Sequence, residues 1–173
     1  MKISIIKIII FSFVIFFLSI FWMGLKKDNN YNTKNIIGNK INNFQLQSIY
    51  NDKFTSEKAL RESEFTLINF FASWCAPCRA EHKYLLNLSN KDKNIKILGI
   101  NFKDKKANAI SFLNELGNPY NFVAEDKDGK ASISFGIYGI PESILVTKEL
   151  VIIKKIVGPI DKKKYEEILQ LIK

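Results

Sequence analysis

The chain has 173 residues, of which 47% are hydrophobic and 13% are aromatic, and it carries a net charge of +9. This length suits one ordinary domain with a short extension, and this composition excludes a disordered chain. The charge does not indicate nucleic-acid binding, because 24 of the 26 basic residues are lysine, whereas phosphate and base recognition favour the arginine fork.

The first predicted element is an uncharged apolar segment over residues 8–25. As a helix it would rise about 27 Å, close to the hydrocarbon thickness of a bilayer, and Trp22 near its end suits the membrane interface. A cleavable signal peptide is the alternative, but no alanine precedes Ala59, so an A-x-A-like cleavage site is missing. We therefore predict an uncleaved membrane anchor over 1–27 and a linker over 28–37.

The charges that flank the apolar segment predict its orientation. The amino terminus, Lys2 and Lys7 precede it, whereas Lys26 and Lys27 follow it and Asp28 partly offsets them. The positive-inside rule then favours a cytoplasmic N-terminus. The remainder of the chain is expected outside the cytoplasm.

Residues 38–173 alternate between strand-like and helix-like segments. The clearest strand is 65–72, an apolar run typical of a strand buried on both faces, and it leads into a helix over 77–89. The other predicted strands are 44–49, 95–102, 122–125, 143–148 and 151–157, and residues 53–55 are predicted as a second short strand or a turn. The other predicted helices are 56–63, 104–116, 129–135 and a C-terminal helix that Asp161 caps. This order predicts an α/β fold with a mixed central sheet flanked by helices, in which the last two strands form a hairpin.

The chain has two cysteines, Cys75 and Cys78, where the clearest strand becomes a helix. One C-x-x-C pair is not a disulfide framework, and near a strand–helix–strand pattern it is typical of a redox motif. Cys75 would lie at the helix N-terminus, where unpaired amides and the helix dipole stabilise a thiolate. Cys78 would lie one turn further on, with Pro77 in the first turn. We expect Cys75 to attack disulfides and Cys78 to resolve the mixed disulfide.

Other uses of the cysteine pair fit the sequence less well. Zinc would need four ligands, and the one further candidate nearby is His82. Haem attachment needs a histidine directly after the second cysteine, where Arg79 stands. We expect His82 to be a surface or rim residue on an exposed helix face and Arg79 to be a solvated charge. No metal and no cofactor beyond the redox-active disulfide is expected.

The residues around the cysteines carry a family resemblance. FFASWCAPCRAEH at 70–82 resembles the active site of thioredoxin-like proteins, and GIPE at 139–142 resembles their cis-proline loop. Three further segments, NFKD at 101–104, ELGNPY at 115–120 and FGIYGIPES at 135–143, make the likeness more specific. Together they resemble the DsbE (CcmG) family of thiol:disulfide interchange proteins of cytochrome c biogenesis.

This resemblance extends from about Gly38 to the C-terminus. It implies a thioredoxin-like fold and a periplasm-facing, inner-membrane reductant that keeps the haem sites of apocytochrome c reduced. The implied partners are apocytochrome c or other cytochrome c maturation components, and a membrane thiol carrier that donates electrons. Two alternatives stay open: a general membrane-tethered reductase of other exported proteins, and a non-catalytic metal-binding or scaffold protein.

The resemblance also assigns roles beyond the cysteines. Pro141 would face the cysteine pair and bind substrate together with Trp74, and its cis peptide bond would present backbone groups to the substrate strand. Glu81 and Glu142 fall on acidic positions close to the cysteines, where they would tune the pKa of the sulfurs. Asn69 stands where ordinary thioredoxin has a buried aspartate, so the glutamates are expected to replace that proton acceptor.

One further departure from the family pattern lies directly after the proline loop. Ser143 and Ile144 replace a more usual Thr-Phe pair.

Overall fold

A computed structural model describes residues 2–25, 36–91 and 94–173. The chain divides into two compact units, 1–32 and 33–173. The first contains helix α1 (Lys2–Leu25), in which Ile5–Gly24 form 20 residues with a mean hydropathy of 2.6 and exposed side chains. This helix is long and apolar enough to cross a membrane. Lys26, Lys27 and most of the predicted linker lie outside the described residues.

The second unit has two sheets and five helices within the described ranges. Its strands are β1 (Gln45–Gln47), β2 (Phe54–Ser56), β3 (Phe65–Phe71), β4 (Ile95–Phe102), β5 (Phe122–Asp126), β6 (Glu142–Thr147) and β7 (Ile152–Val157). Its helices are α2 (Glu57–Leu60), α3 (Ala76–Lys91), α4 (Lys106–Leu116), α5 (Lys130–Ser134) and α6 (Lys162–Leu171).

The main sheet has five strands in the order β5-β4-β3-β6-β7. Strand β3 pairs in parallel with β4 and antiparallel with β6, while β4 and β5 are parallel and β6 and β7 form an antiparallel hairpin. Strands β1 and β2 form a separate antiparallel pair. The predicted mixed sheet and its terminal hairpin are therefore confirmed.

Strand β3 lies at the centre of the sheet and is buried from its second residue to its last. Because side chains alternate along a strand, its residues enter two different cores. Leu67 and Phe71 join the core that contains Leu85 of α3, whereas Ile68 and Phe70 join the core on the opposite face. The same alternation places Asn69 on the α3 side of the sheet, which determines its partners.

The predicted elements are present, and most of their ends differ by one or two residues. The helix predicted over 104–116 begins later, at Lys106, because the carboxylate of Asp104 binds Ser73 rather than capping the helix. The helix predicted over 56–63 is limited to α2, with Ser56 as its N-cap. Asp161 caps α6 as predicted, since its side chain accepts a hydrogen bond from the amide of Lys164 at 2.9 Å.

Candidate active site

The two cysteines form a disulfide at the junction of β3 and α3. Cys75 directly precedes the first helical residue, and its Cα lies 5.3 Å from that of Cys78. The amide of Cys78 donates to the Sγ of Cys75 at 3.2 Å. Such an amide contact at a helix N-terminus stabilises a thiolate on Cys75 once the disulfide is reduced. Cys75 is 4% exposed and Cys78 1% exposed, so the sulfur predicted to attack belongs to the less deeply buried residue.

The turn that leads into Cys75 is held by residues that follow β4. Asp104 accepts hydrogen bonds from the amide of Ser73 at 2.7 Å and from its hydroxyl at 3.0 Å. The amide side chain of Asn101 donates to the same carboxylate at 3.1 Å, and the indole of Trp74 donates to the carbonyl of Lys103 at 3.3 Å. The indole is nonetheless 59% exposed. Trp74 thus presents an aromatic surface beside Cys75, and its substrate-binding role stays a prediction.

Asp104 was missed as a site residue in the sequence analysis. The available signal was the NFKD segment itself, which we used only as evidence of family.

The peptide bond between Ile140 and Pro141 is cis, as the resemblance implied. The loop before it contains Tyr138, whose side chain is 69% exposed. The loop therefore offers an aromatic ring to the solvent. The substrate-binding role of Pro141 stays a prediction.

Glu142 holds the proline loop from the first position of β6. Its Oε1 accepts hydrogen bonds from the amides of Tyr138 at 3.3 Å and Gly139 at 3.1 Å. Its Oε2 lies 2.9 Å from the Nζ of Lys155, which also donates to the carbonyl of Gly136 at 2.6 Å. The Oε2 contact lacks the angle of a hydrogen bond, so it is an ion pair in which the ammonium is directed at Gly136. The contacts of Glu142 therefore fix the loop.

Glu81 is buried in α3 and is held by two neutral donors. Its Oε1 accepts from the side-chain amide of Asn69 at 2.9 Å, and its Oε2 accepts from the backbone amide of Ile160 at 2.7 Å. Burial raises the pKa of Glu81 to about 7, although these two hydrogen bonds favour its charged form. Because Glu81 follows Cys78 by three residues, the two side chains are neighbours on one helix face. Glu81 can thus exchange a proton near neutral pH beside the second cysteine.

Asn69 connects Glu81 to a larger buried network. Its amide nitrogen also donates to the hydroxyl of Ser143 at 2.9 Å, and its carbonyl oxygen accepts from the hydroxyl of Tyr120 at 2.8 Å. Asn69 and Ser143 lie opposite each other in the pairing of β3 with β6. Burial, with a contribution from the charge of Glu81, raises the pKa of Tyr120 well above its usual value, so its hydroxyl remains a donor. Asn69, which stands where ordinary thioredoxin has an aspartate, and Ser143, which departs from the family pattern, are therefore hydrogen-bonded partners.

The ring of Tyr120 packs against the backbone of β4. A Cβ atom on Gly99 would lie only 2.8 Å from the Cγ of Tyr120. On its other side the ring stacks on Phe71, with centroids 4.9 Å apart. These contacts place the tyrosine hydroxyl at Asn69.

Comparison with known proteins shows the family to which this chain belongs. The redoxin family matches residues 36–169. DsbE of Escherichia coli (strain K12), a thiol:disulfide interchange protein, is 38% identical over 133 residues, which cover 76% of this chain and 71% of that protein. The chain belongs to the DsbE family.

Two further similarities concern coverage and fold. The thiol:disulfide interchange protein CycY of Rhizobium leguminosarum bv. viciae is 52% identical over 98 residues, which span 57% of this chain but only about half, 52%, of CycY. The structure of a candidate DsbE from Chlorobium tepidum has a TM-score of 0.69 and 23% identity, and covers 79% of this chain and 98% of its own. That similarity establishes the thioredoxin-like fold.

One sequence-based expectation within this DsbE-family site is wrong. His82 is 3% exposed rather than a surface residue, because α4 and its C-terminal turn cover that face of α3. Its Nε2 lies 2.8 Å from the carbonyl of Gly117, its ring packs edge-on against Phe112, and burial lowers its pKa. Arg79 is exposed, as expected, and it forms an ion pair with Glu115 at 2.6 Å.

Proposed function

We propose that this protein is a membrane-anchored, periplasm-facing oxidoreductase that reduces protein disulfides, those of apocytochrome c before haem attachment. The observation that carries the proposal is the Cys75–Cys78 pair at the N-terminus of α3. The DsbE-family likeness supports the reductive role, and α1 supports the anchor.

The proposed reaction transfers two electrons from the cysteine pair to the substrate. The thiolate of Cys75 attacks one sulfur of the substrate disulfide, so that a mixed disulfide forms and the second substrate sulfur leaves as a thiolate, which takes a proton from the solvent. Cys78 then attacks the Sγ of Cys75, releases the other substrate thiol and leaves the Cys75–Cys78 disulfide. A membrane thiol carrier restores the dithiol.

Glu81 is the group that we assign to the proton of Cys78. As Cys78 becomes a nucleophile it must lose a proton, and the departing substrate sulfur must gain one. A carboxyl with a pKa of about 7, one helical turn away, suits both transfers.

Trapping tests the substrate. With Cys78→Ser, the mixed disulfide cannot resolve, so the full-length protein should retain its substrate covalently in cells. We expect apocytochromes with a C-x-x-C-H site to be attached through Cys75. Recovery of other exported proteins alone would favour the general-reductase alternative, and Cys75→Ser is the control that should trap nothing.

Redox equilibration tests whether the protein acts as a reductant or as an oxidant. A reductant should have a potential nearer the value of about −270 mV of thioredoxin than that of about −120 mV of a strong oxidant. Equilibration against glutathione followed by thiol alkylation measures it. A value at the oxidising end would make the protein an oxidase.

A further inference from the structure

We propose that Lys155 is a positioning residue for substrate binding, because its buried ammonium fixes the loop that precedes Pro141. The substrate-facing role of that loop rests on the proposed function. Lys155 and Glu142 together hold the backbone of residues 136–139, an arrangement that we call the clamp. The clamp rests on contacts within the structure, so it can be tested separately.

The clamp joins both ends of the loop at a single cation. The side chain of Lys155, in β7, is fully buried, and its Nζ lies 2.6 Å from the carbonyl of Gly136 and 2.9 Å from the Oε2 of Glu142. The other carboxylate oxygen of Glu142 accepts from the amides of Tyr138 and Gly139. One lysine and one glutamate therefore hold three backbone groups within four consecutive residues.

The same ammonium also contacts the aromatic ring of the loop. The Nζ of Lys155 lies 5.5 Å from the ring centroid of Tyr138, within the range of a cation–π interaction. The Tyr138 side chain is 69% exposed. Lys155 thus fixes the main chain and orients a ring that an incoming protein would meet.

General energetics favour positioning over stability as the role of this pair. The desolvation cost of a buried ion pair offsets much of its attraction, so well-packed neutral side chains can replace it with little loss. What neutral side chains do not supply is the directed set of charge-assisted hydrogen bonds that fixes the backbone of the loop. The adjacent Lys154 provides a natural contrast, since its side chain is 32% exposed and pairs with Glu167.

The test compares Lys155→Met with Lys154→Met in the full-length protein. For Lys155→Met we expect the KM for reduction of a protein disulfide, measured with insulin, to rise about tenfold. The alkylation rate of Cys75 by iodoacetamide and the glutathione potential should change less than about twofold, because the clamp holds the loop and not the sulfurs. Lys154→Met should match the parent in every measurement. An equal rise in both variants, or none in Lys155→Met, would overturn the proposal.

A second variant covers the case in which Lys155→Met does not fold. Lys155→Met combined with Glu142→Gln removes both charges, which restores folding but not the clamp. The double variant should keep the raised KM, whereas Lys155→Arg should recover part of the parent value. A folded double variant with the parent KM would contradict the inference.

Hydrogen exchange separates failure of the clamp from failure of the proposed function. The amides of Tyr138 and Gly139 should exchange at least about tenfold faster in the double variant than in Lys154→Met. This result would support the clamp even if the parent reduced no protein disulfide. Unchanged exchange would refute the clamp whatever the activity.

Discussion

Two buried glutamates among the described residues, Glu81 and Glu142, have opposite environments. Glu81 is 1% exposed and accepts hydrogen bonds from neutral groups, whereas Glu142 is 4% exposed and faces the ammonium of Lys155 at 2.9 Å. Because no cation in the described part of the chain is hydrogen-bonded to Glu81, burial raises the pKa of its carboxyl to about 7. The resemblance gave both residues one role, but their surroundings suit Glu81 to proton exchange and Glu142 to holding a loop.

The largest expected effect comes from breaking the ion pair. Glu142→Gln leaves the ammonium of Lys155 buried beside a neutral amide, so we expect the free energy of unfolding to fall by about 3 kcal/mol. Urea unfolding of the full-length protein in non-denaturing detergent measures it. Glu167→Gln, which removes the partner of the half-exposed Lys154, is the matched control and should cause no measurable change. Equal losses would show that the buried pair is no different from a surface pair.

The next effect depends on pH and concerns Glu81. Because its pKa is raised from 4.5 to about 7 on folding, the folded state binds a proton that the unfolded state has already released over this range. Its contribution to stability is full below pH 4.5 and is lost as the pH rises through 7, by about 3 kcal/mol.

The effect of Glu81 is measured as the difference in unfolding free energy between the parent and Glu81→Gln at each pH. Parent and Glu81→Gln should have similar stability near pH 4.5, and the variant should gain on the parent up to pH 8. His82, whose pKa is lowered, contributes the opposite slope, since its stabilisation is lost as the pH falls. His82 is present in both proteins, so its contribution cancels in the difference. Parallel stability curves would contradict the raised pKa.

The pH dependence of activity also distinguishes Glu81 from Glu142. The rate at which the mixed disulfide resolves should lose its pH dependence near 7 in Glu81→Gln, because the carboxyl that titrates there is absent. The Lys155→Met/Glu142→Gln double variant should retain it. A pH profile changed by the double variant and not by Glu81→Gln would show that Glu142 acts on the proton instead.

The smallest expected effect tests the network around Glu81. Tyr120→Phe removes the donor to the carbonyl oxygen of Asn69 and leaves that oxygen buried and unpaired, at a cost of about 1.5 kcal/mol in unfolding free energy. Tyr50→Phe is the control, because its hydroxyl accepts only a long surface hydrogen bond of 3.4 Å from Asn118. A cost no larger than the control's would show that the hydroxyl does not support Asn69.

The features that depend on residues close together in the sequence were predicted correctly. The apolar run of β3, the strand–helix position of Cys75 and the cap at Asp161 each depend on neighbouring residues, and each is confirmed in place. The cis peptide at Pro141 followed from a family motif rather than from any physical pattern. Short elements such as α2 were predicted too long, since tertiary contacts limit them.

Contacts between distant segments were not predictable in the same way. Asn69 and Ser143 meet only because β3 pairs with β6 in one register, and the alternation of β7 gives no sign that Lys155 is the buried lysine and Lys154 the exposed one. His82 was assigned to the surface because no periodicity shows that α4 covers α3 there. In each case the partner is supplied by the sheet order or by helix packing.

The close approach of Tyr120 to Gly99 limits the order in which related sequences can diverge. A side chain gained at position 99 while the ring is present would push the ring aside and remove the donor of Asn69. A smaller residue must therefore appear at position 120 first, and the replacement at 99 can follow. We expect the two positions to covary, so that lineages with a side chain at 99 have also lost the tyrosine hydroxyl and pair the carbonyl oxygen of Asn69 with a different donor.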